Sequence, residues 1–207
     1  AFALYTHHAW DDWYITYRVS KNLATGHGFV YNEGQKVHTF TSPIGTLTPA
    51  ILNIFTFNSS DELVLWLFRI IGCILLGVSI VLLLRIAKES SFKLLPTIFL
   101  ITMFATDLKT IDFSINGMET AFMIFFLVLH IYVLTVPSKC LFLNLGLVWA
   151  GLMWTRPDSL VYIAGLSLGY LIFNPKIPNT KNRLGLIKTF IGAGIVLFVL
   201  YTPWIIW

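Results

Sequence analysis

The sequence predicts an all-α, polytopic helical membrane protein with an outward first loop that carries amphipathic surface helices. Three observations carry this expectation. Hydrophobic residues make up 57% of the 207 residues and charged residues only 12%, with a mean hydropathy of +0.77; soluble domains carry about 25% charged residues. The apolar residues fall in long runs, and a ~30 Å hydrocarbon core asks for ~20 such residues in a row. The stretch before residue 63 is the least hydrophobic part and is rich in aromatic and polar side chains. A soluble globular domain, a disordered chain and a disulfide scaffold are excluded. Cys73 lies inside an apolar run, so it and Cys140 make no disulfide framework. The net charge of +4 and pI near 9.1 fit basic inward loops better than a nucleic-acid surface, so no nucleic-acid partner is expected. The chain starts without Met and stops in an apolar run at Trp207, and is read as a fragment of a longer membrane domain.

The elements follow in order. Residues 1–62 form the first extracytoplasmic loop with two interfacial helices. After Asp12, WYITYRVSKNLAT reads as a helix stopped by Gly26-His27-Gly28. A second helix starts at Thr41-Ser42-Pro43, a cap followed by proline in the first turn, with Ile44, Leu47, Ile51 and Ile54 at helical spacing. Ser59-Ser60-Asp61-Glu62 matches a capping box. Residues 63–207 then hold about six spans, at 63–86, 93–105, 120–136, 141–155, 159–173 and 189–207. The second is the weakest. Those shorter than ~20 residues are expected to extend into flanking polar residues or to pack as short helices inside the bundle.

Charge decides whether the weak span crosses. If every segment crosses and 1–62 faces outward, the short inward loops hold Arg85, Lys88, Lys93, Lys139, Lys176, Lys181, Arg183 and Lys188. The outward side holds Arg18, Lys21, Lys36, Arg69, Lys109 and Arg156. Without that crossing, the basic 174–188 loop would face outward, against the positive-inside rule. The same topology places Asp11, Asp12, Glu33, Asp61, Glu62, Asp107, Asp112, Glu119 and Asp158 outward, with Glu89 inward. Acids avoid basic loops in any case; the sharper reading is an outward site built on carboxylates.

Asp11 and Asp12 are the first candidates, because adjacent carboxylates at a membrane surface are costly unless solvated, paired or used. One serves as a helix cap, which leaves the other as a base or metal ligand. Asp12, next to the helix, is the expected cap, leaving Asp11 to face Arg18 two turns along. Glu119 in SINGMETAF has the plain role of an anion at a helix start. Arg156-Pro157-Asp158 is either a turn with a local ion pair or a place where arginine meets phosphate. His7, His8, His27 and His38 show no zinc spacing, and His130, within a span, reads as a buried hydrogen-bonding residue.

DDWYITYRVSKNLATGHGFVYNEGQKVHTFTSPIGTL resembles the first outward loop of the membrane-embedded GT-C glycosyltransferases. The likeness is to a bacterial group related to terminal arabinofuranosyltransferases and, more distantly, to protein O-mannosyltransferases. NGMETA and TRPDS resemble that family's later G-x-E-T and R-P-E/D landmarks, so the likeness covers most of the chain, with the first loop its most specific part. Gln35 departs from the pattern, which often has glutamate after the Gly34 equivalent. The resemblance implies transfer of a sugar from a polyprenyl-phosphate donor to a hydroxyl acceptor, a glycan or another molecule, with inversion. It places the enzyme in the bacterial plasma membrane with its active site extracytoplasmic. It implies catalytic roles for Asp11, Asp12 and Glu119, and substrate contacts for Arg18, Tyr31, Asn32, Thr41, Ser42, Arg156 and Asp158. No cofactor is required by the sequence; a divalent metal is compatible with it, its ligands unknown. The rival expectations are a transporter or flippase of a lipid-linked substrate, which would place ionisable groups in mid-span, and a non-catalytic subunit of a membrane complex.

Overall fold

The computed structural model describes residues 2–6, 8–35, 40–173 and 183–206. His7, Lys36, His38, Lys176 and Lys181, which entered the arguments above, lie outside the described residues. Among the described residues there are ten helices: α1 Phe2–Thr6, α2 Asp11–Ala24, α3 Pro43–Phe55, α4 Asp61–Glu89, α5 Leu94–Thr106, α6 Leu108–Ile115, α7 Thr120–Thr135, α8 Leu141–Thr155, α9 Ser159–Phe173 and α10 Arg183–Ile206. Among the described residues the only β-type pairing is an isolated bridge, Asn32 to Gln35. The all-α expectation holds.

Of the about six expected spans, some of them foreseen as short helices, two or three are long and apolar enough to cross a membrane. Among the described residues, α4, with 29 residues, and α10, with 24, are the single helices long and apolar enough to cross a membrane. The weak span, α5, has 13 residues and continues into α6 through a 48° bend, so it reaches crossing length only as a broken pair. Helices α7, α8 and α9 stop at 16, 15 and 15 residues. At 1.5 Å per residue each is roughly 22–24 Å long, short of a ~30 Å core. Non-helical residues follow α7 and α8, at Val136–Lys139 and Arg156-Pro157-Asp158. Two or three helices can therefore span.

The chain divides into two compact units, Ala1–Gly77 with Phe104–Phe122, and Val78–Met103 with Met123–Trp207. In the first, α2 packs on α3. The buried face of α2 is Trp13, Tyr17 and Ser20, at helical spacing. The face of α3 that meets it is made of small residues, Gly45, Thr46, Pro49, Ala50 and Asn53. Small side chains let the backbones approach, and Ser20 Oγ donates across the seam to the Thr46 carbonyl at 2.8 Å. The apolar stripe that marked α3 in the sequence is not the buried one, since Ile51 and Ile54 are at least half exposed. Its start is as expected: Ser42 Oγ accepts the Gly45 N–H at 2.8 Å, with Pro43 in the first turn. At α4 the cap shifts by one residue. Ser60 accepts Leu63 N–H at 3.4 Å, so Glu62 falls at N2, and the expected capping box, which needs the acid at N3, is absent.

Helices α4 and α6 meet at two adjacent turns. A Cβ on Gly72 would stand 2.6 Å from the Ser114 carbonyl oxygen, so only glycine permits the approach. One turn earlier, Arg69 is 5% exposed. Its Nε donates to the Ile115 carbonyl at 3.0 Å and its Nη2 to the His8 carbonyl at 2.7 Å, while the guanidinium lies 4.6 Å from the Trp66 ring centre. A buried arginine is tolerable because backbone carbonyls and an aromatic face replace its water.

The second unit is built on α7, α8 and α10 around Leu134, Leu145, Trp149, Leu152 and Ala193. Glycines set the contacts: Gly146 lies under Val196 and the Ala193 carbonyl, and Gly151 under the Phe126 ring, as in packing between apolar helices. His130 on α7 is fully buried, and among the described residues neither ring nitrogen has a hydrogen-bond partner. The expected hydrogen-bonding histidine instead has Trp149 beside it, 6.1 Å away centre to centre.

Candidate functional site

The aspartate pair lies at the start of α2, and three stretches distant in sequence meet there. Trp10 is the N-cap residue and makes no side-chain cap bond. Its backbone N–H donates to the Asn116 carbonyl at 3.0 Å, and its ring stacks on Phe113 at 4.9 Å. Trp13 is 2% exposed, sandwiched between Tyr17 and Phe68 at 5.1 Å each. Gly117, with φ of +96°, lies directly against it: a Cβ there would be 2.7 Å from Trp13 Cβ. Two residues on, Glu119 stands just ahead of α7. Its Cβ would be 3.6 Å from a Cβ on Gly45, in the first turn of α3. The NGMET loop thus touches α2 and α3 near their starts. Phe122 N–H closes on the Glu119 carbonyl at 3.0 Å, which puts Glu119 at the cap of α7, near its positive end.

Neither aspartate is the cap. Asp11 and Asp12 are the first two helical residues of α2, both exposed, and among the described residues neither carboxylate has a hydrogen-bond or ion-pair partner. The reason is the clasp on Trp10: its N–H is held from outside the helix, so the helix begins one residue before Asp12. Arg18 does not face Asp11 either. It turns to the following loop, where Nε donates to the Tyr31 carbonyl and Nη2 to Asn32 Oδ1, both at 3.1 Å, and the guanidinium sits 4.5 Å over the Tyr31 ring. Asn32 passes the chain on to Gln35 Oε1 at 3.2 Å. Arg18, Tyr31 and Asn32 are therefore brought together as one cluster.

Of the other expected contacts, Ser42 is buried and engaged in the α3 cap, while Thr41 is exposed. In the second unit, Arg156 Nε donates to Asp158 Oδ1 at 3.0 Å, the local ion pair that the turn suggested. Among the described residues no group of three or more His, Cys, Asp or Glu converges as a metal centre.

A separate polar arrangement lies between α2 and the first turns of α4, and sequence reasoning missed it. Tyr14, Tyr17, Asp61, Glu62, Trp66 and Arg69 line a cavity of about 400 Å³. Tyr17 Oη lies 3.0 Å from Asn53 Oδ1 and 2.8 Å from Asp61 Oδ1, and Lys21 Nζ donates to both Asp61 oxygens at 2.8 and 3.0 Å. One phenol proton serves one acceptor. With the Asn53 amide turned to donate its N–H to Tyr17 Oη, the phenol proton is left for Asp61, and the unpartnered position passes from the amide nitrogen to its oxygen. Burial, followed by the bond to Asp61, pushes the Tyr17 phenol well above its ordinary value. The available sequence signals were an arginine inside an apolar run and Tyr17 and Lys21 one helical turn apart. No family model, curated protein or solved structure matches the chain.

Proposed function

We propose that this chain belongs to a membrane glycosyltransferase that moves a sugar from a polyprenyl-phosphate donor to an acceptor hydroxyl on the extracytoplasmic side of a bacterial plasma membrane. The observation that carries the reading is that Trp10 and Trp13, which flank the aspartate pair, meet the 116–119 loop, and that this loop in turn meets the start of α3. These are the segments in which the resemblance to GT-C enzymes lies. In the reaction, the acceptor oxygen attacks the anomeric carbon as the carbon–oxygen bond to phosphate breaks, which inverts the centre. The acceptor proton goes to a carboxylate late in bond formation, and the lipid phosphate departs. Asp11 and Asp12 suit the base, being exposed and free of competing cations among the described residues. Either Arg18, held by Tyr31 and Asn32, or Arg156 is the candidate for steadying the leaving phosphate through charge-assisted bonds.

The test is consumption of a polyprenyl-phosphate sugar by the purified intact protein, with the glycosylated acceptor followed by mass spectrometry. A second reading, a transporter or flippase of a lipid-linked substrate, draws on Arg69 and His130, two ionisable side chains buried within apolar helices. It requires donor movement across proteoliposomes without sugar transfer.

A further inference from the structure

The cavity between α2 and α4 has the make-up of a ligand site distinct from the aspartate pair. Its volume of about 400 Å³ lies within the roughly 300–1,000 Å³ of small-molecule sites. Its charges are accounted for before any ligand arrives. Asp61 is held by Lys21 at both oxygens, and Arg69 is tied to two backbone carbonyls. Glu62 and Arg69, of opposite sign, line the same space. Such a chamber offers little net field to an ion. It offers carboxylate acceptors and phenol and guanidinium donors around the rings of Tyr14, Tyr17 and Trp66. Those are complementary to a molecule with hydroxyls at its edge and apolar C–H faces. Trp13, the residue after Asp12, also lines it.

We propose that this chamber binds one neutral sugar ring, with Glu62 and Asp61 accepting from ring hydroxyls and Trp66 or Tyr14 covering a ring face. The inference rests on the glycosyltransferase reading only for the origin of the ring, which belongs either to the acceptor or to the donor. Binding is measured on the intact protein in lipid nanodiscs, by saturation-transfer NMR with a panel of methyl pyranosides. At least one glycoside should bind saturably. Glu62→Gln and Tyr14→Ala, both at exposed positions, should each weaken it by about tenfold, as loss of a charge-assisted bond or a stacking face implies, without moving the thermal midpoint. Displacement by a short-chain prenyl-phosphate sugar assigns the ring to the donor; simultaneous binding assigns it to the acceptor. Absence of saturable binding by any pyranoside, or equal affinity in the parent and both variants, overturns the proposal. Glycoside binding without any sugar transfer would defeat the enzyme reading and leave the chamber's assignment standing.

Discussion

Gly117 and Trp13 touch so closely that a single added carbon on the glycine would lie 2.7 Å from the tryptophan Cβ. This contact seats the first turn of α2, and with it the direction in which Asp11 and Asp12 project. Gly117→Ala meets both a left-handed φ of +96° and backbone-proximal atoms that cannot swing aside. It should destabilise the first unit by about 1–3 kcal/mol and lower transfer. Gly34→Ala, also at positive φ but with open space around it, should cost only about 1 kcal/mol and leave transfer intact. Thermal unfolding in nanodiscs and initial rates check both.

Asp11 and Asp12 are alike in structure, both exposed in the first turn of α2, so the proposed base would set them apart by chemistry alone. Because neither caps α2, each contributes only the ~0.3–1 kcal/mol of a first-turn anion, and the two Asn variants should be nearly equal in stability. Turnover should fall by about 10²–10⁴ in the base alone, with donor affinity retained. Two variants transferring at the parent rate would end the mechanism.

Arg69 holds two carbonyls from inside an apolar helix. Arg69→Met leaves both oxygens without a donor, at a cost of roughly 1.5–3 kcal/mol for each charge-assisted bond. Arg69→Lys should recover at most one of them, since the fork is lost. Chemical denaturation of the two variants gives the comparison.

Arg156 separates stability from function. Its ion pair with Asp158, which is more than half exposed, should itself contribute less than about 1 kcal/mol, as read from Asp158→Asn. A role at the donor phosphate would instead raise the donor KM of Arg156→Ala by a factor worth roughly 1.5–3 kcal/mol, with Arg156→Lys a partial substitute. Unchanged donor kinetics in both variants would return Arg156 to the turn.

Tyr17 predicts the alkaline behaviour. Its folded value lies above its unfolded one, near 10. The stabilisation is therefore complete below pH 10 and is lost as pH rises towards the folded value. The parent should lose stability above pH 10 more steeply than Tyr17→Phe. Parallel curves would mean that the phenol–Asp61 bond contributes nothing.

The helical plan was legible because long apolar runs and glycine stops are local signals. Gly26, at φ +87°, ends α2 where expected, and the bounds of α4 and α7 to α9 fall close to the apolar runs. Helix α6 was missed: LKTIDFSI is short and polar, and its cap, Asp107 accepting Thr110 N–H at 2.9 Å, was counted only as a charge. The site was half legible. Residue types pointed to the aspartates, but the partners of Arg18, Trp10 and Arg69 are set by backbone carbonyls, which no side-chain pattern reveals. The buried face of α3 was missed for a related reason, since close approach there favours small residues over the apolar ones that periodicity counts.

Arg69 also imposes an order on biosynthesis. It reaches 61 residues back to His8 and 46 residues ahead to Ile115, so its second carbonyl does not exist while the ribosome is still making α4 and α5. Trp10 likewise waits for Asn116. A nascent chain arrested before α6 carries the aspartates but cannot hold them in place. Contacts of such long sequence separation form late. The sugar-transferring centre proposed here would therefore stay silent through insertion of the first helices and come into being only when the 116–119 loop arrives.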